Sequence, residues 1–87
     1  MKHKILIVED ERDIVNLISN RLDKEKYDLT IALSGDEALH LIKTQEFDLV
    51  SLDVMLPKVD GLTICKELRS RNKKTLIIIV SALDLDE

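Results

Sequence analysis

Short apolar runs and helix-spaced apolar positions alternate along this chain of 87 residues. Short apolar runs predict strands at residues 5–8, 27–32, 47–52 and 75–80, and the first of them is rich in β-branched residues. Between the first two runs, apolar residues at helical spacing predict a helix over residues 12–24. Its apolar stripe comprises Ile14, Leu17, Ile18 and Leu22. The order β-α-β-α-β-α-β predicts an α/β protein with a doubly wound parallel sheet, because parallel strands need crossover helices.

Two further helices are indicated by their first residues and their apolar faces. Ser34 and Glu37 have the spacing of a capping box, in which each side chain bonds a backbone N–H at the helix start. A third helix is expected to start near residue 60, after the loop that holds the single proline, Pro57. The residues expected to be buried are Ala38, Leu39, Leu41 and Ile42 in the second helix and Leu62, Ile64, Cys65 and Leu68 in the third.

The composition is that of one small globular domain. A net charge of -4 leaves no basic excess to neutralise phosphates, so we expect no nucleic-acid binding by this chain. The single cysteine, Cys65, allows no internal disulfide and no cysteine-based metal site. The apolar runs are too short for a membrane span or a signal peptide. We therefore expect a cytoplasmic protein that does not contact the membrane.

Acidic residues follow the first predicted strand and end the third. In an open parallel sheet, ligands bind beyond the carboxyl ends of the strands, where the strand order reverses. If these two strands are neighbours, Glu9, Asp10 and Asp53 converge on one small site. Carboxylates so close raise one another's pKa unless a cation offsets their charge. Because Mg²⁺ prefers oxygen ligands of this kind, the sequence predicts a magnesium site.

A carboxylate beside Mg²⁺ can act as a nucleophile toward a phosphoryl group. Asp53 is the best candidate nucleophile because it ends a strand, where the backbone is rigid, while Glu9 and Asp10 would hold the metal. Ser81 follows the fourth strand and could donate its hydroxyl to a phosphoryl oxygen. Its position would then depend on phosphorylation, which is the physical basis of a switch.

The segments ILIVEDE, DLVSLDVMLPKVDG and LIIIVSA resemble response-regulator receiver domains in order and spacing, over essentially the whole chain. The resemblance implies a flavodoxin-like fold with strand order 2-1-3-4 and phosphorylation by a sensor histidine kinase. It implies that Glu9 and Asp10 are the family's acidic pair and that Asp53 is its phosphorylation site. It also implies that the backbone carbonyl of Met55 completes the Mg²⁺ site and that Ser81 is the switch residue. The second segment is most similar to receivers with a DNA-binding output domain, which implies control of transcription in a full-length parent.

The family's fifth strand, with its catalytic lysine and aromatic switch residue, and its last helices have no counterpart in these 87 residues. We therefore expect residues 1–87 to be the N-terminal portion of a receiver domain, without an output domain. None of Lys58, Lys73 and Lys74 is expected to replace the family's lysine. The fourth strand would be an uncovered edge and the first helix would be partly exposed. We therefore expect self-association through one of these two surfaces.

Other functions were weighed against this one. A phosphatase of the haloacid dehalogenase type needs a second aspartate two residues after the nucleophile, where Met55 stands. A nucleotide-binding domain needs a glycine-rich turn after the first strand, and Gly35 and Gly61 lie elsewhere. The main alternative is a Mg²⁺-binding interaction module, or an inert fragment, without phosphotransfer. Any catalysis would be limited to the chain's own phosphorylation and dephosphorylation.

Overall fold

The structure, a computed structural model, describes residues 2–53, 61–71 and 74–80. Strands and helices alternate along these residues in the predicted order β-α-β-α-β-α-β. They are β1 (His3–Val8), α1 (Arg12–Arg21), β2 (Tyr27–Ala32), α2 (Gly35–Thr44), β3 (Leu49–Asp53), α3 (Gly61–Arg71) and β4 (Leu76–Val80). No helix among the described residues is both long and apolar enough to cross a membrane.

The strands form one parallel sheet in the order β2-β1-β3-β4, which confirms the predicted order. Val8, the last residue of β1, pairs with Ala32 of β2 and with Leu52 of β3. The backbone N–H of Glu9 then donates to the carbonyl of Ala32 at 3.0 Å, which extends the pairing one residue beyond β1. The chain order reverses between β1 and β3, and a crevice at the carboxyl ends of these strands follows.

The main core lies between the sheet and the helices α2 and α3. It comprises Leu6, Val8, Ala32, Ala38, Ile42, Phe47, Val50, Leu52, Ile64 and Leu68. On the other face of the sheet, Ile5 and Ile7 are buried, and so is Val15 of α1. Burial of each large aliphatic side chain contributes about 1.5–3 kcal/mol to folding. β1 and β3 supply buried residues from the middle of the sheet, so the core fixes their relative position.

The ends of the first two helices are set by short-range hydrogen bonds. Ser34 Oγ accepts from the N–H of Glu37 at 3.2 Å, as the capping box predicts. Glu37 Oε1 accepts from the N–H of Leu33 at 2.8 Å. In a capping box this bond comes from the N–H of the cap residue, here Ser34, so the bond lies one residue earlier than expected. Helix α1 ends at Arg21 and not at residue 24 as predicted. Asp23 is the cause, because its side chain accepts from the N–H of Glu25 at 2.9 Å and so favours a turn over a further helical turn.

The third and fourth strands begin later than predicted. Phe47 and Thr75 precede them, and the Thr75 hydroxyl donates to the carbonyl of Phe47 at 2.8 Å. The first bond between these strand starts runs from the N–H of Leu76 to the carbonyl of Asp48 at 3.0 Å. Both Phe47 and Thr75 are buried, so each is part of the core without being part of a strand.

The prediction that α3 buries Leu62 is wrong. Leu62 is 61% exposed, because the buried stripe of the helix is formed by Gly61, Ile64 and Leu68. Those positions recur at three- and four-residue spacing and face the sheet together. Cys65 is half-buried at the margin of the core.

An apolar surface is exposed at the β4 edge of the described sheet. Leu76 and Ile78 are 64% and 50% exposed, and their register partners in β3 place them on the same sheet face as Ile5 and Ile7. Leu17 of α1 is 55% exposed as well. The exposed strand edge and the exposed helix flank expected from the sequence are therefore both present among the described residues.

The two faces of α3 give a direct test of the core. Ile64→Ala is expected to lower the free energy of unfolding by about 2–5 kcal/mol, because Ile64 is fully buried and its loss leaves a cavity. The matched variant Leu62→Ala on the exposed face is expected to change it by less than about 0.5 kcal/mol. Urea unfolding of the two variants measures both values. Similar losses in both would contradict the assignment of the buried face.

Candidate functional site

Three carboxylates meet at the carboxyl end of the sheet. Glu9 and Asp10 follow β1, and Asp53 is the last residue of β3. Because Val8 pairs with Leu52, the next residues, Glu9 and Asp53, emerge side by side at the sheet edge. One carboxylate oxygen from each of Glu9, Asp10 and Asp53 lies within 4.8 Å of the others. The three carboxylates were expected to converge if the first and third strands were neighbours. These strands are neighbours, and the carboxylates do converge.

The cluster has a buried floor and an open side. Glu9 is 4% exposed and Asp53 is 5% exposed, whereas Asp10 is exposed. Burial removes water from the two inner carboxylates, and the ionised form of a carboxyl group is costly there unless hydrogen bonds or a cation offset the charge. The arrangement is that of a small anionic pocket at the surface.

Glu9 is the carboxyl group most affected by this environment. Burial, more than any other cause, raises the pKa of Glu9 above its ordinary value of 4.5. The N–H of Glu11 donates to Glu9 Oε2 at 3.3 Å and partly opposes that rise. The charge of Asp53, a hydrogen bond with Asp53 and the charge of Asp10 raise the pKa of Glu9 further. Burial and the neighbouring carboxylates therefore both disfavour the ionised form of Glu9, and a bound cation would favour it.

The start of α1 lies beside this pocket. Glu11 occupies the position before the first helical residue and makes no side-chain cap. Its carbonyl accepts from the N–H groups of Ile14 and Val15, each at 3.1 Å, while its own N–H is directed to Glu9. No residue pattern singles out this N–H, because every residue other than proline carries the same backbone donor.

Two of the predicted site residues cannot be placed. Met55 and Ser81 lie outside the described residues, as do Pro57 and Lys58. The carbonyl role expected of Met55 and the hydroxyl role expected of Ser81 therefore stay predictions. Within the described residues, the predicted set is represented by Glu9, Asp10 and Asp53.

Residues 5–87 match the family described as the response regulator receiver domain. This chain belongs to that family, which confirms the resemblance identified in the sequence motifs. The parallel sheet of order β2-β1-β3-β4 with its three helices agrees with the flavodoxin-like fold expected for a receiver.

Similar proteins include a transcription regulator and isolated receivers. The chain is 44% identical over 84 residues to the alkaline phosphatase synthesis transcriptional regulatory protein PhoP of Bacillus subtilis, which covers 97% of this chain and 35% of PhoP. It thus spans about a third of the length of the curated relatives it matches. The receiver domain of Francisella response regulator 1452 is 38% identical, with a TM-score of 0.81, over 98% of this chain and 70% of that one. TrrA of Thermotoga maritima, solved in complex with Mg²⁺-BeF, is 37% identical, with a TM-score of 0.83, over 97% and 72%.

The raised pKa of Glu9 gives a pH-dependent contribution to stability. The folded state holds the Glu9 proton more tightly than the unfolded chain, so this contribution is fully present below pH 4.5 and is lost as pH rises through the raised pKa. Glu9→Gln should therefore gain stability relative to wild type as the pH increases from about 4.5 toward neutrality. Urea unfolding in buffer with EDTA measures the difference between the two chains at each pH.

The matched control for this experiment is Glu11→Gln, which removes an exposed carboxylate two residues away. Its difference from wild type is expected to vary less with pH than that of Glu9→Gln. A difference between Glu9→Gln and wild type that stays constant across this pH range would contradict the environment described for Glu9.

Proposed function

We propose that this chain is a phosphorylation-dependent signalling receiver, in which Asp53 accepts a phosphoryl group from a sensor histidine kinase with the help of Mg²⁺. The observation that carries the proposal is the convergence of Glu9, Asp10 and Asp53 within 4.8 Å, at the strand-order reversal of a receiver-family sheet. Acidic residues on exposed loops are common without a function. Here two of the three are buried, where an uncompensated charge is costly.

The donor set fits a magnesium ion. All three side chains offer carboxylate oxygens. Burial first, and then the neighbouring carboxylates, raise the pKa of Glu9, and a divalent cation would offset both effects. Glu9, Asp10 and Asp53 would hold the ion together with the backbone carbonyl of Met55. When bound, Mg²⁺ supplies positive charge at the phosphoryl oxygens. The Mg²⁺-BeF complex of the relative TrrA supports this choice of metal.

Asp53 is suited to be the acceptor because it ends β3, a strand that is paired with β1 on one side and with β4 on the other. Asp53 pairs in register with Val80 of β4, while its neighbour Leu52 pairs with Val8 of β1. In the transfer step, one oxygen of Asp53 forms a bond to phosphorus as the bond from phosphorus to the leaving group breaks. The leaving group departs with the bonding electron pair, and Asp53 becomes an acyl phosphate.

The switch would follow from the charge added to Asp53. A phosphoryl group brings strong acceptor oxygens and more negative charge to the end of β3. The hydroxyl of Ser81, which follows β4 in sequence, would donate to one of these oxygens and draw the adjoining chain toward the site. In this way, phosphorylation at one strand end would change the surface formed by residues after the next strand.

The role of the whole protein is proposed from its relatives. We place residues 1–87 in the N-terminal portion of a receiver domain of a longer cytoplasmic protein, in which phosphorylation of Asp53 controls transcription. The relative PhoP is described as a transcriptional regulatory protein and is about three times as long as the segment matched here. The signal, the kinase and the target genes would be specific to that longer protein.

Phosphoryl acceptance is tested by incubating the chain with Mg²⁺ and acetyl phosphate and measuring its intact mass. We expect a single phosphoryl adduct in the wild type that is lost when EDTA replaces Mg²⁺. Asp53→Asn, which keeps the shape of the side chain but removes the nucleophilic charge, should form no adduct. Asp48→Asn, one residue before the opposite end of β3, is the matched control and should react like the wild type. An adduct that persists in Asp53→Asn would contradict the assignment of the acceptor.

An interaction module is the second candidate function, and the exposed apolar residues of β4 and α1 favour it. Leu76 and Ile78 lie at the described sheet edge, and an exposed apolar edge pairs readily with another chain. Leu17 is exposed on α1, and this part of the helix is the alternative interface. We therefore propose that this 87-residue chain self-associates through the β4 edge or through the exposed flank of α1.

Light scattering at increasing concentration tests self-association. The mass of the wild type is expected to rise above that of a monomer, and Ile78→Lys should restore a monomer if the β4 edge is the interface. Leu17→Lys should do so if α1 is the interface. Gln45→Lys adds the same charge at an exposed position at the end of α2 and should behave like the wild type. A wild-type chain that remains monomeric throughout would contradict the proposal.

A further inference from the structure

The carboxyl end of the sheet is strongly acidic, and among the described residues it carries one basic side chain, Arg12. The acidic residues come from the end of β1, the first turn of α1, the first turn of α2 and the end of β3. They are Glu9, Asp10, Glu11, Asp13, Asp36, Glu37 and Asp53. A phosphodonor is itself an anion, so this surface repels the molecule that has to reach Asp53.

Arg12 occupies a position that helix stability alone does not favour. It is the first residue of α1, where the helix dipole attracts anions and disfavours cations. Arg21, in the last turn of the same helix, has the favourable placement for a cation. A residue that breaks a local rule beside a site is often kept for what it does at that site.

Arg12 is close enough to the pocket to act on it through space. It follows Asp10 by two residues, so the two Cα atoms are at most about 7 Å apart. Its side chain is exposed, so its charge lies at the surface of the protein and not among the buried oxygens. A charge at this distance acts with opposite sign on an incoming anion and on an incoming cation.

We propose that Arg12 is a specificity-determining residue for the phosphodonor: its charge draws doubly charged donors toward Asp53 at the expense of Mg²⁺ affinity. The inference rests on the proposed function, because it concerns the entry of a donor to the same acceptor. Arg12 lowers the repulsion that the acidic surface exerts on a dianion. It also weakens the attraction of that surface for Mg²⁺, so its removal should change the two properties in opposite directions.

The test compares Arg12→Gln with the wild type at saturating Mg²⁺. The first donor is acetyl phosphate, which is doubly charged at neutral pH, and the second is phosphoramidate, which is mostly singly charged. Adduct formation on Asp53 is followed by intact mass, and Mg²⁺ affinity is measured separately by calorimetry. The control is Arg21→Gln, which removes the same charge about 14 Å away along the helix.

At about 0.01 M ionic strength, Arg12→Gln is expected to slow the reaction with acetyl phosphate roughly threefold to tenfold. The reaction with phosphoramidate should be slowed less, and Mg²⁺ should bind more tightly by a factor similar to the loss with acetyl phosphate. At about 0.15 M ionic strength each effect should shrink to about twofold or less, because the Debye length falls to about 8 Å. Arg21→Gln should match the wild type at both ionic strengths.

Equal slowing with both donors, independent of salt, would overturn the inference, because it would point to a structural or contact role of Arg12. An unchanged rate and unchanged Mg²⁺ affinity in Arg12→Gln, beside a wild type that reacts normally, would overturn it as well and leave the proposed function standing. A wild-type chain that takes up no phosphoryl group from either donor would overturn the proposed function and this inference together.

Discussion

The parallel pairing of β1 with β3 is the interaction on which the rest of the structure depends, because it holds the carboxylates of Glu9, Asp10 and Asp53 together against their mutual repulsion. Left to themselves in water, three such groups would move apart. They are held within 4.8 Å because β1 and β3 are adjacent and in register up to Val8 and Leu52. The buried side chains of these two strands fix that register from both faces of the sheet. The hydrophobic core therefore supplies the free energy that offsets the repulsion among the three carboxylates.

Because these carboxylates lie so close together, the pocket is sensitive to any charge that approaches it. A buried carboxylate whose pKa is raised, as that of Glu9 is, gains most from any positive charge that approaches. The same environment favours a divalent cation with oxygen ligands and opposes anions. The proposed function needs both properties in sequence, since a phosphoryl group would reach Asp53 only after the local charge had been offset. Placing the pocket at the ends of two central strands couples it to the core on one side and to the loops that follow the strands on the other.

Much of the fold could be predicted from the sequence, because its local signals agree with one another. The capping residues Ser34 and Glu37 marked the start of α2, and short apolar runs marked all four strands. The strand order came from the family resemblance, since periodicity carries no information on which strands are neighbours. Leu62 was assigned to the wrong side of α3 because the apolar residues of that helix spread over more than one face, and only the sheet selects which is buried. Of the site, the carboxylates could be predicted from their positions at strand ends, whereas the N–H of Glu11 could not.

The central claim is that Glu9, Asp10 and Asp53 form a binding site for Mg²⁺, and calorimetric titration with Mg²⁺ tests it most directly. At about 0.15 M ionic strength, where remote charges are largely screened, the wild type should show saturable binding at one site. Asp10→Asn should weaken that binding at least about tenfold, because it removes a ligand while leaving the buried residues intact. Asp13→Asn, an equal loss of charge in the first turn of α1, should change it by less than about threefold. Equal affinities in the wild type and Asp10→Asn, or no saturable binding at all, would contradict the claim.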